Sequence, residues 1–161
     1  MRSLDPHFRE FVELLEENKV DYLIVGGYAV AFYGFARYTG DIDFFVAVNS
    51  QNAEALVKVF KDFGFESLKL TKEDFLQEGF VIEIGREPTK IQILTGIDGI
   101  KFYECRERCV TVEVDGLSLK FIDKESLLRN KLASGRPKDL LDISVLTDLG
   151  KQVMRAESRE E

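Results

Sequence analysis

The chain has 161 residues, a formal net charge of −7 and 45% hydrophobic residues. This length suits one domain whose core needs no disulfides. The acidic balance argues against binding nucleic acid over the whole surface, because phosphate contacts need clustered Lys and Arg, but it leaves room for a local basic groove. No stretch approaches the ~20 apolar residues of a membrane span, and the N-terminus lacks the apolar region of a signal peptide. We therefore expect a cytoplasmic protein without membrane contact.

The cysteines and the charged C-terminal residues predict the redox state of the protein and the extent of its domain. Cys105 and Cys109 are four residues apart, and His7 is the single histidine. These residues are too few for a zinc site, so we interpret the cysteines as reduced thiols. We predict one domain over residues 1–150 and a charged tail over residues 151–161.

The first predicted elements are a helix, a strand and a second, shorter helix. Residues 5–17 carry apolar side chains at helical spacing, with Asp5 as N-cap and Pro6 at the first helical position. Residues 22–25 form a continuous apolar run, which indicates a buried strand. Gly26-Gly27 then predicts a tight turn, followed by a short helix over residues 28–33.

Two acids begin the next predicted strand. Asp41 and Asp43 alternate with Ile42 and Phe44. On an extended backbone the acids leave the same face, with Cα atoms roughly 6.6 Å apart, and the apolar pair faces a core. Two carboxylates on one face repel each other unless they share a proton, meet a cation or stay solvated. A divalent metal ion between them would remove the repulsion.

The glycine pair supplies the other half of a candidate site. Backbone N–H groups of Gly26 and Gly27 at the start of a helix favour phosphate. Phosphate at one end and metal at the other suggest a nucleoside triphosphate. Taken singly, a Gly-Gly pair is usually only a turn and an Asp-x-Asp pair only a solvated strand edge, and both alternatives stay open.

In this order and spacing, these residues resemble a known signature. Gly26-Gly27, a short helix and then residues 37–43 (RYTGDID) are similar to the polymerase β-type nucleotidyltransferase superfamily. More narrowly, they resemble its small members related to AbiEii-type toxins of toxin–antitoxin systems. The resemblance implies an α/β fold with a mixed, mostly antiparallel sheet, helices packed against it and a C-terminal helical pair.

The resemblance also implies a reaction. Asp41 and Asp43 would hold Mg²⁺, and a nucleoside monophosphate would pass from an NTP such as ATP to an acceptor hydroxyl. Arg37 and Thr39 would contact the phosphate or sugar, although Arg37 is equally suited to pair with Asp41. Relatives modify tRNA ends, protein side chains or antibiotics, so the acceptor stays open, and a cognate antitoxin is a possible partner.

The middle of the chain predicts a helix over residues 52–63 and then a hairpin of residues 80–84 and 90–94. In the resembling proteins a third carboxylate usually stands where this chain has Gln92, and an uncharged amide cannot replace it. Centring the hairpin between Glu87 and Pro88 puts residue 83 opposite residue 92. Glu83 would then take the third carboxylate's role, unless it is only a solvent-facing acid.

The last predicted elements are a hairpin and two helices. Strands over residues 110–114 and 117–121 flank Asp115-Gly116, and a helix follows over about 124–133 with Leu127, Leu128 and Leu132 inward. A last helix runs from Pro137 to about residue 149. By resemblance, Lys131 would reach the nucleotide phosphates; the alternative is a basic turn neutralised by Asp139 and Asp142.

Two functions follow from these residues. The first is a Mg²⁺-dependent nucleotidyltransferase that uses Asp41, Asp43 and Glu83. The alternative is a catalytically degenerate domain that binds a nucleotide or a protein partner, because Gln92 stands where an acid is expected.

Overall fold

The computed structural model describes residues 4–34 and 40–147. Within these ranges the strands are β1 (Tyr22–Val25), β2 (Asp41–Val46), β3 (Val81–Ile84), β4 (Lys90–Leu94), β5 (Val110–Val114) and β6 (Leu117–Phe121). The helices are α1 (Pro6–Glu17), α2 (Gly26–Phe32), α3 (Ser50–Asp62), α4 (Phe102–Cys105), α5 (Lys124–Ser134) and α6, which is described over residues 137–147. Short 3₁₀ turns cover Glu66–Leu68, Lys72–Leu76 and Arg106–Arg108.

One mixed sheet holds the six described strands in the order β3-β4-β2-β1-β6-β5. The pairs β1–β2, β3–β4 and β5–β6 are antiparallel, whereas β2–β4 and β1–β6 are parallel. This is the mixed, mostly antiparallel sheet that the sequence predicted. The parallel contact of β2 with β4 matters most for the site, because it brings the β3–β4 hairpin beside the acids of β2.

The core lies between one face of this sheet and the helices α1 and α3. Phe44 of β2 points to that face, where its ring lies 5.5 Å from Phe11 of α1, and Phe11 in turn lies 5.7 Å from Phe60 of α3. All three rings are buried, and contacts between aromatic rings add to the stabilisation from burying large apolar surfaces. The core therefore holds the even-numbered side chains of β2 and leaves its odd-numbered side chains on the opposite face.

Local signals placed most helix ends correctly. Asp5 caps α1 by accepting a hydrogen bond from the His7 amide, and Asn49 and Asp123 cap α3 and α5 in the same way. The β5–β6 hairpin turns at Asp115-Gly116, as predicted. One difference lies at Gly26, which is the first residue of α2 rather than part of a separate turn.

The predicted C-terminal helical pair is present, but the buried side of α5 differs from the prediction. Leu127 is buried as expected, whereas Leu132 is 67% exposed and Lys131 is 4% exposed. The prediction that Leu132 faces inward is therefore wrong. A charged side chain occupies the buried position because two acids of α6 surround it, as described below. None of the helices within residues 4–34 and 40–147 is long and apolar enough to cross a membrane.

Candidate active site

The glycine turn lies directly against the second acid. Val25, the last residue of β1, pairs with Asp43 of β2, so the chain enters α2 beside that aspartate. Gly26 has a φ of +67°, and a Cβ atom at this position would overlap Oδ2 of Asp43. Only glycine satisfies both the backbone angle and the space. The turn and the acid pair are therefore on the same side of the molecule.

Asp41 and Asp43 project from the same face of β2 and influence each other. Both are half-buried, while Ile42 and Phe44 between and beside them are fully buried on the other face. The two carboxyl groups are within hydrogen-bonding reach of one another. Burial, together with the charge and the hydrogen bond of Asp41, raises the pKa of Asp43 to about 7. Near pH 7 Asp43 is therefore partly protonated unless a cation joins the site.

One oxygen of the pair lacks a protein partner. Oδ1 of Asp43 is buried and accepts no hydrogen bond from the described residues. An unsatisfied buried carboxylate oxygen is costly, so it is a position where a ligand or ion would be stabilising. Lys138 and Lys131 lower the pKa of Asp43 through their charges, which act against its burial. Both lysines therefore lie close enough for their charge to reach the site.

The predicted hairpin register is confirmed. Glu83 of β3 lies opposite Gln92 of β4, and Gln92 pairs with Asp43 across the parallel contact. Nε2 of Gln92 donates a hydrogen bond of 2.5 Å to Oε1 of Glu83. Gln92 thus stands between the acid pair and Glu83. The catalytic role of Glu83 stays a prediction, since the described residues contain no group of three or more metal-ligating side chains.

Lys131 belongs to a buried ion cluster at the junction of α5 and α6. Its Nζ atom lies 3.1 Å from Oδ1 of Asp139 and 3.0 Å from Oδ2 of Asp142. These three side chains are at most 5% exposed. Arg136, which is largely exposed, adds a bond of 2.7 Å to Oδ2 of Asp139. The ammonium group of Lys131 therefore donates a hydrogen bond to Asp139 and is paired with the charge of Asp142 inside the protein.

The acid pair, the glycine turn and the basic junction share one open cavity of about 670 Å³, which we call the polar cleft. Its walls come from the β1–α2 turn, β2, the β3–β4 hairpin, the loop after β4 and the α5–α6 junction. The charged and polar side chains that line it are Asp41, Asp43, Glu87, Gln92, Asp98, Asn130, Lys131, Ser134, Arg136 and Lys138. Negative and positive groups thus face each other across a space large enough for a small ligand.

Two of these acids, Glu87 and Asp98, were not predicted from the sequence. Glu87 lies in the β3–β4 loop, and its side chain covers Gly40, where an added Cβ would come within 2.7 Å of Glu87 Cγ. Its place follows from the pairing of Asp41 with Lys90, which puts the hairpin loop beside the start of β2. Asp98 is tied to α5, because its backbone oxygen accepts a hydrogen bond of 2.9 Å from Asn130. No pattern in the sequence indicated that contact.

The remaining predicted site residues are Gly27, Arg37 and Thr39. Gly27 lines the polar cleft together with Gly26. Arg37 and Thr39 lie outside the described residues, so their proposed contacts with phosphate or sugar stay predictions.

Known proteins resemble this chain at the level of family and fold. A family model described as "Nucleotidyl transferase of unknown function (DUF2204)" matches residues 6–158. No curated protein matches the chain.

Solved structures show the same fold at low sequence identity. A protein of Thermotoga maritima (TM1012) assigned as a nucleotidyltransferase is 15% identical, with a TM-score of 0.57 over 99% of this chain and 98% of that one. The lincosamide antibiotic adenylyltransferase LnuA, bound to lincomycin, is 17% identical, with a TM-score of 0.55 over 91% and 98%. An antigenic nucleotidyltransferase-like protein of Paracoccidioides brasiliensis is 18% identical, with a TM-score of 0.52 over 89% and 75%. The predicted fold class is therefore confirmed, while the narrower likeness to AbiEii-type toxins stays a prediction.

Proposed function

Since the chain belongs to the nucleotidyl transferase family DUF2204, we propose that it moves a nucleoside monophosphate from a Mg²⁺-bound NTP to an acceptor hydroxyl in the polar cleft. One observation carries this proposal. The glycine turn, the two aspartates and the basic α5–α6 junction line the same cavity, although they come from separate parts of the chain.

The acid pair fits a magnesium ion. Oδ1 of Asp43 is buried without a protein partner, and burial, together with the neighbouring Asp41, raises the pKa of the Asp43 carboxyl group. Mg²⁺ prefers oxygen ligands and is commonly held by one or two carboxylates together with substrate phosphates and water. Asp41 and Asp43 would therefore hold it without a third protein carboxylate. When bound, the ion supplies positive charge that lowers the pKa of the acceptor hydroxyl and stabilises the attacking and leaving oxygens.

The phosphates would lie between the glycine turn and the lysines. Gly26 and Gly27 offer backbone N–H groups on one side of the cleft. Lys138 is exposed and lines the other side, and its charge reaches Asp43. Lys131 is held by its ion pairs with Asp139 and Asp142, so its charge acts on the cleft from a fixed position. We assign the phosphate contact to the exposed and more mobile Lys138.

Gln92 and Glu83 would act as a pair. With Nε2 of Gln92 donating to the Glu83 carboxylate, the amide oxygen of Gln92 is the group left to face the cleft that this residue lines. An amide oxygen is an acceptable neutral ligand for a hard cation or its bound water. In this proposal Glu83 is a positioning residue that acts through Gln92.

The transfer itself conserves atoms and charge. The acceptor oxygen forms a bond to the α-phosphorus, the bond from that phosphorus to the bridging oxygen breaks, and pyrophosphate leaves with the electron pair. The acceptor proton leaves to water. The chain's own residues bind and orient the phosphates and hold the two reacting oxygens in line, which is where most of the rate gain in phosphoryl transfer arises.

The test is direct. Purified protein is incubated with α-labelled NTPs, Mg²⁺ and hydroxyl-bearing acceptors, and label transfer is measured beside the thermal shift with Mg²⁺ and NTP. We expect both signals to disappear in Asp43→Asn and to persist in Asp115→Asn, a matched change in the exposed β5–β6 turn. Transfer that survives Asp43→Asn would refute the proposed site.

The second candidate is a noncatalytic domain that binds a nucleotide or a protein such as an antitoxin. The observation that favours it is Gln92, which stands beside Asp43 without a charge. This alternative predicts a thermal shift with Mg²⁺ and NTP but no label transfer to tRNA, protein or small molecules. Membership of a toxin–antitoxin pair stays a prediction of the sequence resemblance.

A further inference from the structure

A second cavity of about 680 Å³ adjoins the polar cleft, and we propose that it holds the acceptor, a hydroxyl-bearing small molecule with a planar apolar body. We call it the aromatic pocket and define it by Phe45, Leu76, Ile97, Phe102 and Tyr103. This inference rests on the proposed nucleotidyl transfer and names the substrate class for it.

The two cavities adjoin each other and share part of their lining. Gly96 and Ile97, just after β4, line both of them. Phe45, on the floor of the aromatic pocket, is two residues beyond Asp43 on the same face of β2. Successive same-face residues of a strand are roughly 6.6 Å apart, so a molecule seated on Phe45 reaches the acid pair through a short substituent.

The pocket combines a buried aromatic floor with an exposed apolar rim. The rings of Phe45 and Phe102 meet edge to face at 5.2 Å, and both are buried. At the rim, Tyr103 is 67% exposed and Leu76 is 40% exposed. Exposed apolar side chains around a recess are characteristic of ligand sites, and aromatic rings favour planar partners.

Hydrogen bonds hold one wall of the pocket in place. Oγ1 of Thr95 accepts a bond of 2.7 Å from the Phe80 amide and donates one of 2.6 Å to the carbonyl of Gln77. The backbones of Gly96 and Gly79 are so close that a Cβ on Gly96 would lie 3.1 Å from the Gly79 nitrogen. The wall that carries Leu76 is therefore attached to the end of β4, and the pocket exists before any ligand arrives.

The charges around the pocket disfavour a polyanionic acceptor. Among the described lining residues Lys101 is the single cation, beside Glu78 and Glu104. Oε1 of Glu104 accepts a hydrogen bond of 2.9 Å from the Lys101 amide, which fixes that carboxylate at the rim. RNA would need clustered Lys or Arg to bind its backbone. A neutral or cationic small molecule needs none.

In this arrangement the acceptor's hydroxyl points from the aromatic pocket toward Asp41 and Asp43. Its oxygen forms the new bond to the α-phosphorus, pyrophosphate leaves with the electron pair of the broken bond, and the hydroxyl proton goes to water. The nucleobase stays on the polar-cleft side, where Val25, Val81 and Leu94 offer apolar contacts.

Proton NMR with 2-naphthol as the probe tests the assignment, because this molecule is planar and neutral and carries one hydroxyl. Mn²⁺ at the acid pair should broaden the signals of the bound probe, since the two cavities adjoin. We expect Tyr103→Ala to weaken binding at least about fivefold, as lost aromatic contacts would. Leu132→Ala, a truncation of another side chain that is 67% exposed, should leave it unchanged.

Each outcome decides the inference. The acceptor pocket would be overturned if 2-naphthol did not bind or if Tyr103→Ala bound it equally well. It would also be overturned if an RNA oligonucleotide with a free 3′-hydroxyl, or ATP without metal, displaced the bound 2-naphthol. The thermal shift with Mg²⁺ and ATP separates the two proposals. A normal shift without probe binding rejects only the pocket, whereas loss of the shift in the unmodified protein rejects the nucleotidyl transfer itself.

Discussion

Two pairs of acids in this molecule lie in opposite electrostatic environments. Asp139 and Asp142 enclose the ammonium group of Lys131, and all three side chains are buried. Asp41 and Asp43 lie side by side, and one oxygen of Asp43 is buried without a protein partner. The first pair has its cation within the chain and joins two helices. In our proposal the second pair is completed by a cation from outside the chain.

The pKa values of Asp43 and Asp139, one from each pair, are shifted in opposite directions. Burial and Asp41 raise the pKa of Asp43 to about 7. Burial acts on Asp139 as well, but hydrogen bonds from Arg136 and Lys131 outweigh it and lower the pKa of Asp139 below its ordinary value. Asp43 and Asp139 thus differ in ionisation because the charge of Asp139 is compensated within the fold and that of Asp43 is not.

The largest expected effect is that of Asp43→Asn on activity. If Asp41 and Asp43 hold the ion as proposed, removing one of their two charges should lower label transfer by at least about 100-fold, as losses of electrostatic stabilisation do. The free energy of unfolding without metal should not fall, because the change removes a crowded charge. Urea unfolding beside the transfer assay checks both halves. A variant that is unstable and still active would show that the acid pair is structural.

Lys131→Met should, in contrast to Asp43→Asn, lower the free energy of unfolding. It leaves Asp139 and Asp142 buried without their cation, and removing one partner of a buried ion cluster costs about 3–5 kcal/mol. We expect the urea midpoint to fall accordingly. Lys138→Met is the matched control, because this exposed lysine should change stability by less than about 0.5 kcal/mol. Equal stability of the two variants would refute the structural role of Lys131.

The pH dependence of stability should also separate the pairs in metal-free buffer. Asp139 has a lowered pKa, so its contribution is present above its unfolded pKa of ~3.9 and is lost as the pH falls below that value. Asp43 has a raised pKa, so the folded state binds its proton more tightly, and stability falls as the pH rises from about 4 to 7.

Urea unfolding between pH 3 and pH 8 measures both slopes. Asp43→Asn should remove the decline between about pH 4 and 7, and Asp139→Asn should flatten the loss at lower pH. If Asp43→Asn kept the slope of the unmodified protein, another group would be responsible.

Gly26 and Gly135 have similar backbone angles, but only Gly26 lies against the acid pair, at Asp43. Gly135 has a φ of +61° and open space, with the nearest atom 3.8 Å from an added Cβ, whereas a Cβ on Gly26 would overlap Asp43. Gly135→Ala should cost about 1 kcal/mol for its backbone angle alone. Gly26→Ala should cost more and should also weaken the thermal shift with Mg²⁺ and ATP. A normal shift in Gly26→Ala would show that the turn does not shape the site.

The two acid pairs also differ in how well they could be predicted from the sequence. The acids of β2 were predictable because alternation with Ile42 and Phe44 assigns them to one face, and local pairing places the glycine turn beside them. Burial of Lys131 was not predictable, because apolar patterning favoured Leu132 and the compensating acids come from the next helix. Glu87 was missed because its place depends on the parallel pairing of β2 with β4.

The smallest expected effect concerns Glu83. If Glu83 positions Gln92, then Glu83→Gln, which still offers an oxygen to Nε2, should retain most activity, while Glu83→Ala should lower turnover by about tenfold, in the range seen for residues that orient metal ligands. If its charge were needed at the ion, both changes would lower turnover equally. Measuring kcat and the Mn²⁺ affinity of the two variants distinguishes these roles. Gln92 separates Glu83 from the acid pair, so a positioning role predicts that Glu83→Gln keeps its affinity for Mn²⁺. If Glu83 were a direct ligand, both variants would bind Mn²⁺ more weakly.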